Sequence, residues 1–455
     1  MGVRVWHAAG GDRMGRVWTE QERPMPTSDV SRRNFLGASA MTLAAAATNA
    51  LANPAEAAAQ SVGIKPGDLP DLTIKEVKVY VIQRAQARPA GSASPAAANR
   101  APMTEQVAAI VTNSGIEGNY TLENRYFHPN WSNLGWLDYA KRTLPGKSVL
   151  DLPRLTSQWE PDLRRQGQLS YASAIDNCLW DIMGKAVGLP TYRVLGAYRE
   201  RVMAYGSSQH HKTLEDFVDE VKRCKAAGFT AYKIHPPGGT APNEDDYKLD
   251  MEICTAVRQA AGDDFTLMLD PVGVYDRFQA LEVGRLLDKL GYAGFEDPLP
   301  TTDIDGLVEL HSKVDVPLHV GEFLFSPYNY AEYIRRGAVD DVRFVVDNVG
   351  GITSGMKIGR LAELFGMPCV PHNWGNVFDH AVHFQCELAM PNAPWFEKTL
   401  PMAGVADLQG AADLPYVKDS FRVQPDGYIY ASAKPGIGCE IDRAVLDKLL
   451  VRVDT

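Results

Sequence analysis

From residue 201 onward, short apolar runs recur along the chain, most closing on an ionisable residue at nearly constant spacing. Asp270, Glu296 and Glu322 stand 26 residues apart, and Asp347, His372 and Glu397 follow at intervals of 25. A strand, a helix and their two short loops take about 25 residues, so each interval is one βα unit. Eight strand-like runs fit this rhythm, at 202–207, 230–235, 265–272, 293–299, 317–323, 342–349, 368–374 and 394–400. Helical stretches such as LEDFVDEVKRCKAAG and ALEVGRLLDKLG lie between most of them. The pattern predicts a parallel βα barrel, whose active-site mouth is formed by the C-terminal ends of the strands. The recurring ionisable residues then converge on one opening.

Their types define a chemistry. Asp270, Glu296 and Glu322 fall on three consecutive strands and make an all-oxygen site with three negative charges. Such a site suits Mg²⁺, a hard cation that keeps positions free for substrate. Without a cation the three would repel each other and resist ionisation. Lys233 and His235 are two residues apart on one strand, so both face the pocket. His372 stands on the other side. Acid–base groups flanking a cation suit removal of a carbon-bound proton, the cation stabilising the enolate. A lone D-P or E-D-P at a strand end is commonly just a turn; three in register carry the inference.

The segment before the barrel reads differently. LTIKEVKVYVI alternates as a strand, and QVAAIVTNSGIEGNY reads as a hairpin turning at Asn113–Gly115. SYASAIDNCLWDIMGKAVG has helical spacing and stops at Gly188, ahead of Pro190. Strands followed by helices predict an α+β capping domain over 71–200. The barrel then occupies 201–400, and residues 401–455 pack back on the cap. Further upstream, Arg32 and Arg33 precede Phe35, Leu36 and an alanine-rich run, the layout of a twin-arginine signal over 1–52, with 53–70 as linker. Cleavage is expected after Ala50 or Ala52 or slightly later, Met25 is an alternative start, and the mature protein is expected in the periplasm or secreted. The alanine-rich run is shorter than the roughly 20 residues a membrane span needs, so no membrane attachment is expected of the mature form. The six cysteines lack metal-ligand or redox spacing and read as buried free thiols. A net charge of -10 without a basic stripe argues against nucleic acid as a partner.

These residues resemble the enolase superfamily, and within it the mandelate racemase and muconate lactonizing enzyme family. LMLDPVG, FEDPLP and VGEF resemble that family's three metal-ligand strands, while VGGIT and PHNWG resemble its sixth and seventh. The resemblance runs over roughly residues 72–440 and implies a (β/α)7β TIM-like barrel under an α+β N-terminal cap completed by the C-terminal segment. It implies Mg²⁺ on Asp270, Glu296 and Glu322, a small carboxylate substrate, and a homo-oligomer. It also implies that Glu397 hydrogen-bonds the substrate carboxylate. Where the family usually has Lys-x-Lys, this chain has Lys233-x-His235, so the base role falls to His235, with Lys233 touching a metal-bound carboxylate. The family's aspartate partner for the seventh-strand histidine is replaced by Val345; Asp347, two residues on, is the candidate substitute. Residues 84–102 and Tyr126–Trp136 are expected to shape the pocket. The expected reaction is dehydration of a sugar acid to a 2-keto-3-deoxy acid. Alternatives are a racemase, epimerase or cycloisomerase and, in another class, a periplasmic acid-binding protein without catalysis.

Overall fold

In the computed structural model the described residues are 69–84, 103–122, 133–165, 167–237 and 246–455. The signal region, nearly all of the linker, the loop expected over 84–102 and most of Tyr126–Trp136 lie outside them.

The cap opens with β1 (Ile74–Arg84), β2 (Met103–Thr112) and β3 (Glu117–Thr121). The β2–β3 hairpin turns where Gly115 takes φ 85°, and the Gly115 amide donates to the Thr112 carbonyl at 2.9 Å. Helices α1 (Asn133–Thr143), α2 (Leu152–Arg165) and α3 (Leu169–Val187) follow. Helix α3 is buried on most of its circumference because it lies between the cap and the barrel, and it stops at Gly188 in the left-handed conformation.

Next comes the alternating half, in the order β4 (Arg201–Ser207), α4 (Leu214–Ala226), β5 (Ala231–Ile234), α5 (Asp246–Ala261), β6 (Thr266–Leu269), α6 (Arg277–Leu290) and β7 (Gly294–Glu296). It continues with α7 (Ile304–His311), β8 (Leu318–Val320), α8 (Pro327–Arg336), β9 (Asp341–Val342), α9 (Val346–Val349), α10 (Ile352–Leu364), α11 (Val377–Ala389) and β10 (Trp395–Thr399). Local chemistry sets these boundaries. Helix α6, for example, starts in a capping box of Asp276 and Gln279 and ends at Gly291 with φ 65°. The strands run in the order β10-β4-β5-β6-β7-β8-β9, each neighbouring pair parallel. Residues 369–372 continue the barrel past β9, the Val370 amide bonding the Val342 carbonyl at 3.1 Å and the His372 amide the Phe344 carbonyl at 2.9 Å. Below the mouth, Tyr205, Ala231, Met268 and Val370 pack together as a plug, which makes the barrel interior a core rather than a channel.

After the barrel, β11 (Tyr428–Tyr430) pairs antiparallel with the start of β4. Helix α12 (Arg443–Leu449) then leads into β12 (Leu450–Asp454), which pairs antiparallel with β1 and completes a cap sheet in the order β12-β1-β2-β3. The C-terminal segment thus joins both parts. All six cysteines are free and buried. Among the described residues no helix is long and apolar enough to cross a membrane.

Candidate active site

Three strands deliver three carboxylates to one point. Asp270 follows β6, Glu296 ends β7, and Glu322 follows β8 by two residues. Each offers an oxygen within 4.8 Å of the others, and all three are buried. Two local features fix them. Val272 takes φ 60°, a left-handed conformation costly for a β-branched residue, and so aims its amide at Asp270 Oδ1, 2.8 Å away. Gly321 has φ 145°, and a Cβ there would stand 2.1 Å from the Arg343 carbonyl oxygen; only glycine lets the chain turn so that Glu322 enters the pocket. Asp270 Oδ2, Glu296 Oε1 and Glu322 Oε2 accept no aligned hydrogen bond among the described residues, although nitrogens of His235, Arg343 and His372 stand beside them. One buried, under-satisfied oxygen on each of three acids is the donor set a hard divalent cation takes. The residues fit the expected metal.

Groups able to carry protons flank this triad. His235 Nε2 lies 2.9 Å from Asp270 Oδ2, and its backbone amide is anchored on Ser208 Oγ at 2.9 Å. On the other side, His372 Nε2 lies 2.9 Å from Glu322 Oε2. Trp374 stands between the two imidazoles, 4.8 Å from the His235 ring at a steep angle and 6.4 Å from the nearly parallel His372 ring. Lys233 is fully buried, with Nζ 2.6 Å from Glu296 Oε2 and 3.4 Å from Asp270 Oδ2. Burial opposes its charge, but Glu296 and Glu397 outweigh burial and hold the ammonium well above its usual range. Burial likewise pushes the Asp270 carboxyl up, and Lys233 and His235 more than reverse that.

Sequence reasoning missed three residues here. His210, three residues past the end of β4, packs edge-on to His235 at 5.4 Å. Its Nδ1 lies 2.7 Å from the Pro236 carbonyl, which can only accept; Nδ1 therefore carries the hydrogen, and Nε2 is the acceptor of the neutral ring. Asp297 is fully buried at φ 32°, with neither carboxylate oxygen hydrogen-bonded among the described residues. Burial, with the charges of Glu322 and Asp270, pushes its carboxyl well above the usual range. Arg343 is a buried guanidinium just after β9, placed between Glu296 and Glu397.

Two expected placements need correction. Glu397 does not present a free oxygen to a substrate. Oε1 takes Ser207 Oγ and Lys233 Nζ, each at 2.7 Å, and Oε2 takes Arg343 Nη2 at 2.5 Å and the Asn373 amide at 2.9 Å. Four donors fill the acceptor positions of one carboxylate. Burial works against its charge, yet Lys233 and Arg343 hold it well below the usual carboxylate range. Asp347 does not close a strand. The chain leaves β9 after Val342 and coils into α9, where the Asp347 carboxylate meets Tyr120 Oη of the cap at 2.7 Å. The same hydroxyl lies 2.8 Å from Asp379 on α11.

The Enolase C-terminal domain-like family model matches residues 216–445. The chain belongs to the enolase superfamily. Within it, the chain sides with the mandelate racemase and muconate lactonizing enzyme family and its sugar-acid dehydratases. It is 31% identical over 288 residues to arabinonate dehydratase of Saccharolobus solfataricus, covering 63% of this chain and 73% of that one. It is 30% identical over 297 residues to D-galactarolactone cycloisomerase of Agrobacterium fabrum, covering 62% and 76%. A solved structure of D-glucarate dehydratase from Agrobacterium tumefaciens, complexed with magnesium, superposes with a TM-score of 0.71 at 27% identity, covering 84% of this chain and all of that one. This member of the superfamily is therefore an enzyme of lyase or isomerase type.

Proposed function

We propose that this enzyme is a Mg²⁺-dependent dehydratase that converts a sugar acid or related hydroxycarboxylate to a 2-keto-3-deoxy acid. The observation that carries the reading is the pair of histidines on opposite sides of the carboxylate triad, each 2.9 Å from one of its acids. Elimination of water needs a base at the carbon beside the carboxylate and an acid at the neighbouring hydroxyl. Asp270, Glu296 and Glu322 would hold the ion, which when bound supplies a Lewis acid for the substrate carboxylate and the charge that develops on it. His235 takes the α-proton. His372 gives a proton to the β-hydroxyl, which leaves as water. The enol that remains takes a proton at C3 and becomes the 2-keto acid, so the net change is loss of one water.

Proton NMR in deuterium oxide tests this, using the Mg²⁺-loaded enzyme and a panel of aldonic, aldaric and uronic acids. Disappearance of an α-proton with a new 3-deoxy methylene is expected, and His235→Asn should abolish it while leaving Mg²⁺ bound. Turnover retained by His235→Asn sinks the base assignment. Two proton carriers on opposite faces also suit a racemase or epimerase, which would exchange the α-proton without forming the methylene. Arg32 and Arg33 further support export by the twin-arginine route to the periplasm or beyond. Replacing both with lysine should retain the protein in the cytoplasm on cell fractionation; unchanged distribution removes that reading.

A further inference from the structure

Four buried side chains beneath the site close into a ring. Lys233 Nζ stands 2.6 Å from Glu296 Oε2 and 2.7 Å from Glu397 Oε1. Arg343 reaches the opposite oxygen of each acid, Nε 2.5 Å from Glu296 Oε1 and Nη2 2.5 Å from Glu397 Oε2. Charge alternates around the ring, and no member's side chain is more than 1% exposed. The members come from β5, β7, the end of β9 and β10, so the ring ties together strands from separate parts of the barrel wall.

We propose that Arg343 and Glu397 are positioning residues for the metal site. They act through Glu296 rather than by touching substrate. Burying four charges is costly, and an apolar filling of the same volume would stabilise the fold at least as well. What the ring gives instead is orientation. Glu296 is the member shared with the carboxylate triad; Lys233 bonds its Oε2 and Arg343 stands against its Oε1, which restrains the carboxylate's rotation about its last bond while Oε1, accepting no aligned hydrogen bond, keeps room for the ion. Ligands that bind a small cation well must be held to about half an ångström. Glu397 thereby acquires a role that its lack of a free acceptor position denies it at the substrate.

The alternative is that Arg343 acts only as a nearby positive charge. The two accounts predict opposite signs. A bare charge repels Mg²⁺, so Arg343→Met would tighten binding. Loss of positioning weakens it, by about 10–100-fold, as for other residues that orient metal ligands. The double variant Arg343→Met with Glu397→Gln removes one charge of each sign. Through-space electrostatics then leaves affinity near wild type, whereas loss of the ring still weakens it.

The proposal rests on the reading of Asp270, Glu296 and Glu322 as Mg²⁺ ligands, and the experiment separates the two. Full-length wild type, Arg343→Met, Arg343→Lys and the double variant are titrated with MgCl2 by calorimetry, with near-ultraviolet circular dichroism as the check on folding. Weaker binding is expected in Arg343→Met and in the double variant. Arg343→Lys should lie between Arg343→Met and wild type, since a single ammonium lacks the planar fork that lets Arg343 meet Glu296 and Glu397 through separate nitrogens. If wild type takes no Mg²⁺, the ligand reading falls and this one with it. If wild type binds and Arg343→Met binds equally or more tightly, only the ring's role is overturned. Should Arg343→Met fail to fold, wild-type affinity in the double variant overturns the proposal.

Discussion

At the scale of single residues, several groups that matter here are buried polar side chains with unusual surroundings. His319 is one. Its ring packs where a Cβ on Gly294 would be 2.3 Å from it, and neither nitrogen is hydrogen-bonded among the described residues. Burial first, then the Arg343 charge, lower its pKa from 6.5 to about 3. The sign of the consequence follows. Below about pH 6.5 the unfolded chain's imidazole takes a proton that the folded one refuses, so acid favours unfolding. Stability should fall as pH drops from 6.5 towards 3, by about 2 kcal/mol for this residue between pH 7 and 5. Urea unfolding at those two pH values checks it, and His319→Gln should reduce the loss by that amount; an unaltered pH dependence would refute the assignment. His383, lowered by burial to about 3, behaves in the same direction. It is held neutral by accepting the Val346 amide at Nε2, with Nδ1 2.8 Å from the Asp379 carbonyl.

At the scale of elements, the junction between α3 and α10 shows how the cap is held. Helix α10 begins at two glycines, Gly350 with φ 102° and Gly351 with φ 92°, and so has no capping side chain of its own. Helix α3 supplies the caps. Asp176 accepts from the Thr353 amide at 2.8 Å and its hydroxyl at 2.6 Å, Asn177 accepts from the Ile352 amide at 3.1 Å, and Ser173 accepts from the Gly350 amide at 3.1 Å. A Cβ on Gly351 would be 2.4 Å from Asp176, so the glycine makes room for the capping residue. Burial pushes the Asp176 carboxyl up to about 7 despite these donors. Asp176→Ala leaves the Thr353 amide and hydroxyl without their acceptor and should cost about 1–3 kcal/mol in urea unfolding. A variant as stable as wild type would mean that water replaces the cap. The element scale also shows where sequence reading stops. The barrel rhythm was legible because a parallel strand buried on both faces is a continuous apolar run with its chemistry at one end. That made Asp270, Glu296, Glu322, His235 and His372 visible. Strand period carried past the end of β9 misplaced Asp347, where the chain had already begun to coil. Arg343 was invisible for the same reason, a charge inside an apolar run with no spacing to mark it. His210 lies beyond its strand, and only folding brings it beside His235.

At the scale of the whole molecule, residues 71–455 form one compact unit in which the cap and the barrel share a boundary made of specific bonds. Tyr120 reaches from β3 to Asp347 and Asp379, and Asn376 Nδ2 reaches back to Thr121 at 3.1 Å. These contacts bracket the segment that carries His372 and Trp374. The general plan, a cap of strands then helices before a βα barrel, was readable because each half keeps its own periodicity. The contacts between them were not, since they depend on pairs of residues far apart in the chain. The cap sheet shows this most plainly, because β12 pairs with β1 across the whole length of the barrel. A chain made from its amino terminus must therefore produce every barrel strand before β1 can acquire that neighbour. In time as well as in space, the cap is the last part to be finished, and until then the nascent protein carries an open sheet edge.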